Sequence, residues 1–458
     1  MKVNKNTIHK ITIPSTINAI TTGCDLASVE AGELVPQTTL NKFVNEDEEW
    51  TLWEKLKIST KVLLGTAFDN NNPVVWRLGE KSQENGIYLA MTDSPVPIRF
   101  NISDLSTLGM QYPNWFPLTL SGCAHFLREI GTDNSISFMG KKHLTGKPFI
   151  QVQRYTPQST YQDPEVVGSF TPKKFSNIHS FSLTEEFAIF FFYPVIVNPK
   201  LYFSANFHVF ELIQWLEGEM TDVFIVDLKT GNVTQLETDP IYSVHHVNAY
   251  RANKDELILD LCPTSFVNMR DYLKLENMMN PPTTSSGVST NKNEEFTRYT
   301  INLTTQKISH SYLPNPTNSQ WTNHFDFPVI NERFRGKKYC YVFGWAAFDY
   351  SRIALVKKNV CDGTQDKVWY VENHYSSEMW FLESPDPKSE DDGVLITIVF
   401  DGEKSKSYLV IIDAITFEPI ARSYLPHNIP WSAHGMHFPE ATFAENSQHG
   451  RRTSKDEL

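Results

Sequence analysis

The chain is short of cysteine, of basic runs and of long apolar stretches, and each shortage closes off a class of function. Its five cysteines (Cys24, Cys123, Cys262, Cys340, Cys361) form no CxxC pair and no even framework. A cysteine-type structural zinc site is therefore not expected, and the thiols read as reduced, as in a cytosol-like setting. Acidic residues outnumber basic ones, 53 to 41, for a formal net charge of −12. There is no long basic run, only the short Arg451-Arg452 near the end. A phosphate-binding partner needs a clustered basic face, so nucleic acid is not expected. No apolar stretch reaches the roughly 18 residues a membrane-crossing helix needs. Helical periodicity is scarce too: Trp53, Leu56, Ile58, Val62 and Leu63 suit one amphipathic helix, and little else does.

What the chain has instead is β-forming and turn-forming sequence. With 40% hydrophobic and 13% aromatic residues it can bury a large core, and 26 prolines punctuate it. From Val74 onward, short strand-like runs alternate with turns, for example over 86–91, 135–139, 149–155, 188–197, 256–261, 353–357 and 394–400. One unit recurs. Asp227-Leu228-Lys229-Thr230-Gly231-Asn232-Val233 is similar to Asn302-Leu303-Thr304-Thr305-Gln306-Lys307-Ile308, to the stretch from Asp413 to Ile420 and, more loosely, to the stretch from Asn101 to Leu108. Each reads as a strand end, a polar turn held by Asx or Thr side chains, and a return strand. Irregular repetition of hairpins along most of a chain predicts a β-propeller, with a blade number the pattern does not give. Three segments fit a blade poorly. Residues 201–219 are aromatic and amphipathic and suit a helix over the propeller face or a membrane-contacting patch. Residues 263–293 pass from Met-rich to a Ser/Thr/Asn-rich loop, and 437–458 read as a tail. The expected division is a weakly matched N-terminal segment over 1–52, a propeller over 53–444 and a tail over 445–458.

Titratable rings stand at the mouths of these apolar runs. His179 opens Ile178-His179-Ser180-Phe181-Ser182-Leu183-Thr184; His125 follows Gly122-Cys123-Ala124; His245 sits in Val244-His245-His246-Val247; His434 sits in Ala433-His434-Gly435-Met436. A single buried histidine is most simply a hydrogen-bonded core residue. Four in the same kind of setting, far apart in sequence, are what a rigid β scaffold would gather around one transition metal.

At these residues the chain resembles the carotenoid cleavage oxygenases, above all their animal branch, as an N-terminally shortened member. The run from His179 to Phe187 looks like that family's His-Ser-Phe-Gly-Leu-Thr-Glu-Asn-Tyr strand. His245-His246-Val247-Asn248-Ala249-Tyr250 with Leu259-Asp260-Leu261-Cys262, Phe327-Pro328-Val329-Ile330-Asn331, Glu390-Asp391-Asp392-Gly393 and Leu425-Pro426-His427 ahead of His434-Gly435 are similar to further family segments in the same order. The resemblance implies an all-β, seven-bladed propeller with a helical and loop cap over the metal face. It also implies one non-haem Fe(II) held by His125, His179, His245 and His434. Three carboxylates, matched at Asp93, Asp326 and Glu390, would hydrogen-bond the ligand rings and fix their tautomers. Two of them are Asp where the family usually has Glu, and His125-Phe126 replaces Ala-His-Pro's proline.

The activity so implied is oxidative cleavage of a conjugated double bond of a carotenoid or apocarotenoid by O2, giving aldehyde or ketone fragments. Thr92 would stand near the open metal position. Phe190, Phe203, Phe207, Trp215 and Trp431 are candidates for an aromatic tunnel, each equally readable as plain core. Retinoid isomerohydrolysis, a non-catalytic carotenoid or lipid carrier and a docking propeller stay open as alternatives. A cytoplasmic protein with peripheral membrane contact is the expected setting. The terminal Lys455-Asp456-Glu457-Leu458, with sequons at Asn101, Asn232 and Asn302, makes the endoplasmic reticulum lumen the alternative.

Overall fold

Residues 74–438 are described by the structure, a computed structural model, apart from 80–85, 115, 117, 177, 198–212, 267–294, 314–324, 350–351, 363–365 and 430–433. The apolar runs pair into antiparallel sheets that stack face against face. The first sheet is β1 (Val74–Leu78), β2 (Ile87–Met91), β3 (Ile98–Phe100) and β4 (Thr107–Met110), in that order. In the second, β5 (Thr119–Ser121) and β6 (Leu127–Arg128) share the inner edge, followed by β7 (Ser135–Lys142), β8 (Pro148–Tyr155) and β9 (Glu165–Phe170). The third begins with β10 (Ser182–Leu183) and β11 (Phe187–Phe192). A two-stranded ribbon of β12 (Val195–Val197) and β13 (Ile213–Trp215) is inserted before β14 (Thr221–Asp227) and β15 (Val233–Thr238) complete it.

The fourth sheet is β16 (Ser243–Arg251), β17 (Glu256–Pro263), β18 (Thr297–Asn302) and β19 (Lys307–Tyr312). The fifth is β20 (Phe325–Val329), β21 (Tyr341–Asp349), β22 (Arg352–Asn359) and β23 (Lys367–Trp369). In the sixth, β24 (His374–Ser376) and β25 (Trp380–Glu383) lie along β26 (Gly393–Asp401), then come β27 (Lys406–Asp413) and β28 (Pro419–Tyr424). The core lies between consecutive sheets, in clusters shared by the first three, by the third and fourth, the fourth and fifth, and the fifth and sixth. A strand covered on both faces can be apolar throughout, as β11 is.

The recurrent turn is the outer hairpin of its blade in four cases. Asn101, Asp227, Asn302 and Asp413 each end a strand or follow it directly, and each side chain accepts a hydrogen bond from a backbone N–H two or three residues on. Four residues after each, the chain passes through the left-handed region: Leu105 at φ 61°, Gly231 at 72°, Gln306 at 55° and Phe417 at 62°. The Asx side chain secures a turn that its fifth residue finds strained.

Three expectations are corrected. Six blades, not seven, are formed by the described residues: apart from the two-stranded ribbon β12–β13, the strands from Val74 to Tyr424 fall into six sheets. No helical cap is described: among the described residues the one complete helix is a 3-10 turn, Glu332–Phe334, and the described end of the segment read as a helix over 201–219 contains the strand β13, where Ile213 and Trp215 pair with β12. The thiols are not all reduced: Cys340 and Cys361 form a disulfide, while Cys123 and Cys262 are free and buried. The two cysteines flank the antiparallel hairpin of β21 and β22, which brings them together. The helix expected around Trp53, the segment 1–52 and the tail 445–458 lie outside the described residues. No described helix is long and apolar enough to cross a membrane.

Candidate metal centre

Two of the four histidines stand at or near the start of an inner strand, and two lie in connecting segments. His125 lies in the bend between β5 and β6, His179 just before β10, His245 near the start of β16, and His434 in the segment that follows β28. The structure brings all four together: one nitrogen from each lies within 4.8 Å of the others. His125 Nε2 is 2.9 Å from His179 Nε2, and His245 Nε2 is 3.1 Å from His434 Nε2.

The other ring nitrogens are turned outward onto carboxylates. His179 Nδ1–H donates to Asp93 (2.9 and 3.0 Å), His245 Nδ1–H to Asp326 (2.6 Å) and His434 Nδ1–H to Glu378 (3.0 Å). With Nδ1 protonated, a neutral ring presents the Nε2 lone pair, so three lone pairs face the shared centre by construction. Two imidazoles at right angles on one ion, each with a bond of about 2.1 Å, would stand about 3 Å apart, which matches both short nitrogen pairs. The donor set fits a divalent transition metal.

Electrostatics favours the neutral form of His125 and His245. Burial and the three neighbouring imidazoles hold His125 well below the ordinary histidine value. Burial lowers His245 as well, with Asp326 pulling the other way. Burial also opposes charge on His179, but the Asp93 carboxylate outweighs it and raises that ring. The choice between adjacent histidines is made by strand alternation and by an irregularity in the β16–β17 register at this point. His245 faces the centre, while His246 faces away, its Nδ1 2.8 Å from Ser182 Oγ and its Nε2 3.1 Å from Tyr193 Oη.

Glu390 is not at the centre, contrary to expectation. Its carboxylate accepts the backbone N–H groups of Cys340 and Tyr341, beside the disulfide. Glu378, between β24 and β25, stands in the place assigned to it and also accepts the N–H of Gly435 (3.2 Å). The acidic run at 390–392 drew the match. The signal for Glu378 was a lone acid beside Met379-Trp380-Phe381, the same texture as Asp326 beside Phe327. The shorter Asp93 and Asp326 do reach their rings directly.

Phe327 was not singled out either. It is a non-glycine residue at φ 52°, wedged with its ring 5.2 Å from His245, 5.1 Å from His434 and 4.9 Å from Trp345. Thr92 is half-buried on the loop that carries Asp93.

A cavity of about 910 Å³ reaches His125 and His434 and is walled in part by Trp76, Phe126, Met379, Trp380 and Phe381. Of the expected tunnel residues, Phe190 is instead core, stacked on Phe181 at 5.2 Å, and Trp215 packs on Phe266 at 6.3 Å. Both are absent from that cavity's lining. Phe203, Phe207 and Trp431 lie outside the described residues.

A family model described as "Retinal pigment epithelial membrane protein" matches residues 26–439. Among curated proteins, the chain is 26% identical over 273 residues to "Carotenoid cleavage dioxygenase 8 homolog A, chloroplastic" of Oryza sativa subsp. japonica, covering 57% of this chain and 47% of that one. It is 25% identical over 319 residues to "Carotenoid-cleaving dioxygenase, mitochondrial" of Macaca fascicularis, covering 62% and 57%. The matched region thus spans about half the length of these relatives. Among solved structures, a cobalt-substituted Synechocystis ACO shares the fold with a TM-score of 0.63 at 22% identity, over 80% of this chain and 74% of that one. A mutant of Synechocystis apocarotenoid oxygenase gives 0.66 at 22% identity, over 90% and 81%.

Proposed function

Because the chain belongs to the carotenoid cleavage oxygenase family, we propose that it is an iron-dependent dioxygenase that cleaves a conjugated double bond of a carotenoid or apocarotenoid. The observation that carries this reading is the convergence of four imidazoles, three of them locked by carboxylates. Bound there, Fe(II) would supply the activation of O2, chemistry that no side chain provides.

The rest is the work of the chain. His125, His179, His245 and His434 would hold the ion through Nε2. Asp93, Asp326 and Glu378 keep the proton on Nδ1, so that Nε2 stays a lone pair. Phe327 buttresses two of the rings. The aromatic part of the adjoining cavity's wall would give an apolar polyene a surface to lie on, beside a charged part that includes Arg128, Glu129, Glu332 and Arg333. Thr92, on the Asp93 loop, is the residue proposed to flank the reacting bond. That the shorter Asp93 and Asp326 both reach their rings supports a metal site over a non-catalytic carrier. The Cys340–Cys361 bridge favours the lumenal setting over the cytoplasmic one, since disulfides persist in oxidising compartments.

The test is reconstitution. Full-length protein loaded with Fe(II) should retain about one ion per chain and convert β-carotene or an apocarotenal to shorter carbonyl products under air and not under nitrogen, and His245→Ala should abolish both. A folded preparation that retains no metal under iron, nickel or cobalt would sink the reading. Metal retention with release of a retinol from retinyl ester, and no cleavage, would move it to the isomerohydrolase.

A further inference from the structure

Three lysines are buried among the described residues, and two of them face carboxylates: Lys357 pairs with Asp391, and Lys358 with Asp366. Lys141, near the end of β7, does not. It is only 9% exposed, yet among the described residues its ammonium has a single hydrogen-bonding partner, the neutral amide oxygen Oε1 of Gln151 on β8, at 2.6 Å. Burial draws the ammonium below its ordinary value, and no neighbouring charge opposes it. A lysine is seldom buried unpaired, because taking its charge out of water is costly. An ammonium also has three N–H donors, and this one uses a single donor inside the protein.

The partner amide is itself fixed. Gln151 Oε1 also accepts from Gln153 Nε2 (3.1 Å), whose own Oε1 accepts from Tyr155 Oη (3.1 Å). Lysine can only donate, so the end of Gln151 that meets it is oxygen. Gln151 Nε2 donates to no group among the described residues. Lys141 and Gln151 together line two adjoining hollows. One, of about 300 Å³, is apolar at Leu118 and Phe149, with Lys142 at its wall. The other, of about 130 Å³, is polar at Gln153 and Gln162, and the exposed Asp163 is the one acid lining either. Neither hollow shares a residue with the cavity beside the histidines.

We propose that Lys141 and Gln151 form a binding site for a monocarboxylate with a compact apolar body. The carboxylate accepts from Lys141 Nζ and Gln151 Nε2, and the apolar part lies over Leu118 and Phe149. The ligand thus brings the counter-charge that the fold supplies to Lys357 and Lys358 and withholds from Lys141. Two carboxylate oxygens match two neighbouring donors, one charged and one neutral. A phosphate dianion would leave charge unmatched beside one buried ammonium. The site lies apart from the metal centre and owes nothing to the oxygenase reading.

Isothermal titration of metal-free, full-length protein tests this, with phenylbutyrate as the probe and phenylbutanol, acetate and inorganic phosphate as comparisons. Phenylbutyrate should bind saturably, and the alcohol at least about tenfold more weakly, because it brings no charge to the ammonium. Acetate and phosphate, which lack the apolar body, should be weaker than the acid as well. Lys141→Met should bring acid and alcohol to the same weak affinity, whereas Lys142→Met should keep them apart. Without ligand, Lys141→Met should not lower the urea midpoint, since it removes an uncompensated buried charge and keeps the apolar stem. Gln151→Glu supplies the missing carboxylate from within, so it should abolish acid binding and raise the urea midpoint of the free protein. Equal binding of acid and alcohol, phosphate binding as tight as the acid's, an acid preference that survives Lys141→Met or Gln151→Glu, or no binding by the folded wild type would overturn the proposal. The protein titrated carries no metal, so none of these outcomes bears on the oxygenase reading, and failure of that reading leaves this site standing.

Discussion

At the scale of single residues, the centre depends on what stands behind each ring. Removing the Asp326 carboxylate leaves the buried His245 Nδ1–H without an acceptor, so Asp326→Ala is expected to lower iron affinity by about ten- to a hundredfold, read as metal content after dialysis against a graded chelator. Glu378→Ala should do the same through His434. Glu390→Ala should leave metal content unchanged and cost only stability, because its partners are backbone amides. That contrast separates the carboxylate expected at the centre from the one found there.

His246 provides a pH test. Burial pushes its ring from 6.5 down to about 3. The unfolded chain therefore binds a proton that the folded one refuses. Stability is full above about 6.5 and falls as pH drops toward 3. By about pH 5 the loss from this ring is about 2 kcal/mol, so urea midpoints should fall more steeply between neutral pH and pH 5 for the wild type than for His246→Gln.

At the scale of elements, the outer hairpins were the most legible part of the chain, because their signal is local. An Asx residue bonding its own turn needs no knowledge of the rest of the molecule. What each turn packs against was not legible. Gly231 (φ 72°) and Gly146 (φ 84°) both sit in the left-handed region. A Cβ at Gly231 would lie 2.4 Å from the Val167 carbonyl oxygen of the neighbouring blade, whereas one at Gly146 would meet nothing within 4 Å. Gly146→Ala should cost about 1 kcal/mol for the backbone alone, and Gly231→Ala about 3 kcal/mol, since strain and clash add, as measured by chemical denaturation. The expected cap over the metal face failed for the opposite reason. Apolar residues such as Ile213 and Trp215 satisfy helical and strand periodicity alike over so short a run, and pairing with β12 decided it.

At the scale of the whole molecule, the last described segment ties the ring together. After β28 the chain presents His434 to the centre, and Phe438 then packs edge-on against Tyr88 of the first blade at 5.1 Å, in a cluster with Phe100. One short stretch thus supplies a ligand and joins the sixth blade to the first. Phe438→Ala should cost about 2 kcal/mol by analogy with other truncated aromatics that are only partly buried. It should also loosen His434, so iron content and unfolding midpoint should fall together in the same preparation. Loss of stability with full iron retention would mean that Glu378 and Phe327 hold His434 without help from Phe438.

The order of four histidines along the chain, the β-rich texture and the self-bonded turns follow from local chemistry, and local chemistry is what a sequence carries in the open. Which acid backs His434, which cysteines pair and how many blades form were decided by which strands pair and stack. Glu378 and His434, or Cys340 and Cys361, become neighbours only when the intervening strands choose partners, and strand pairing is a property of the assembled sheet rather than of either strand.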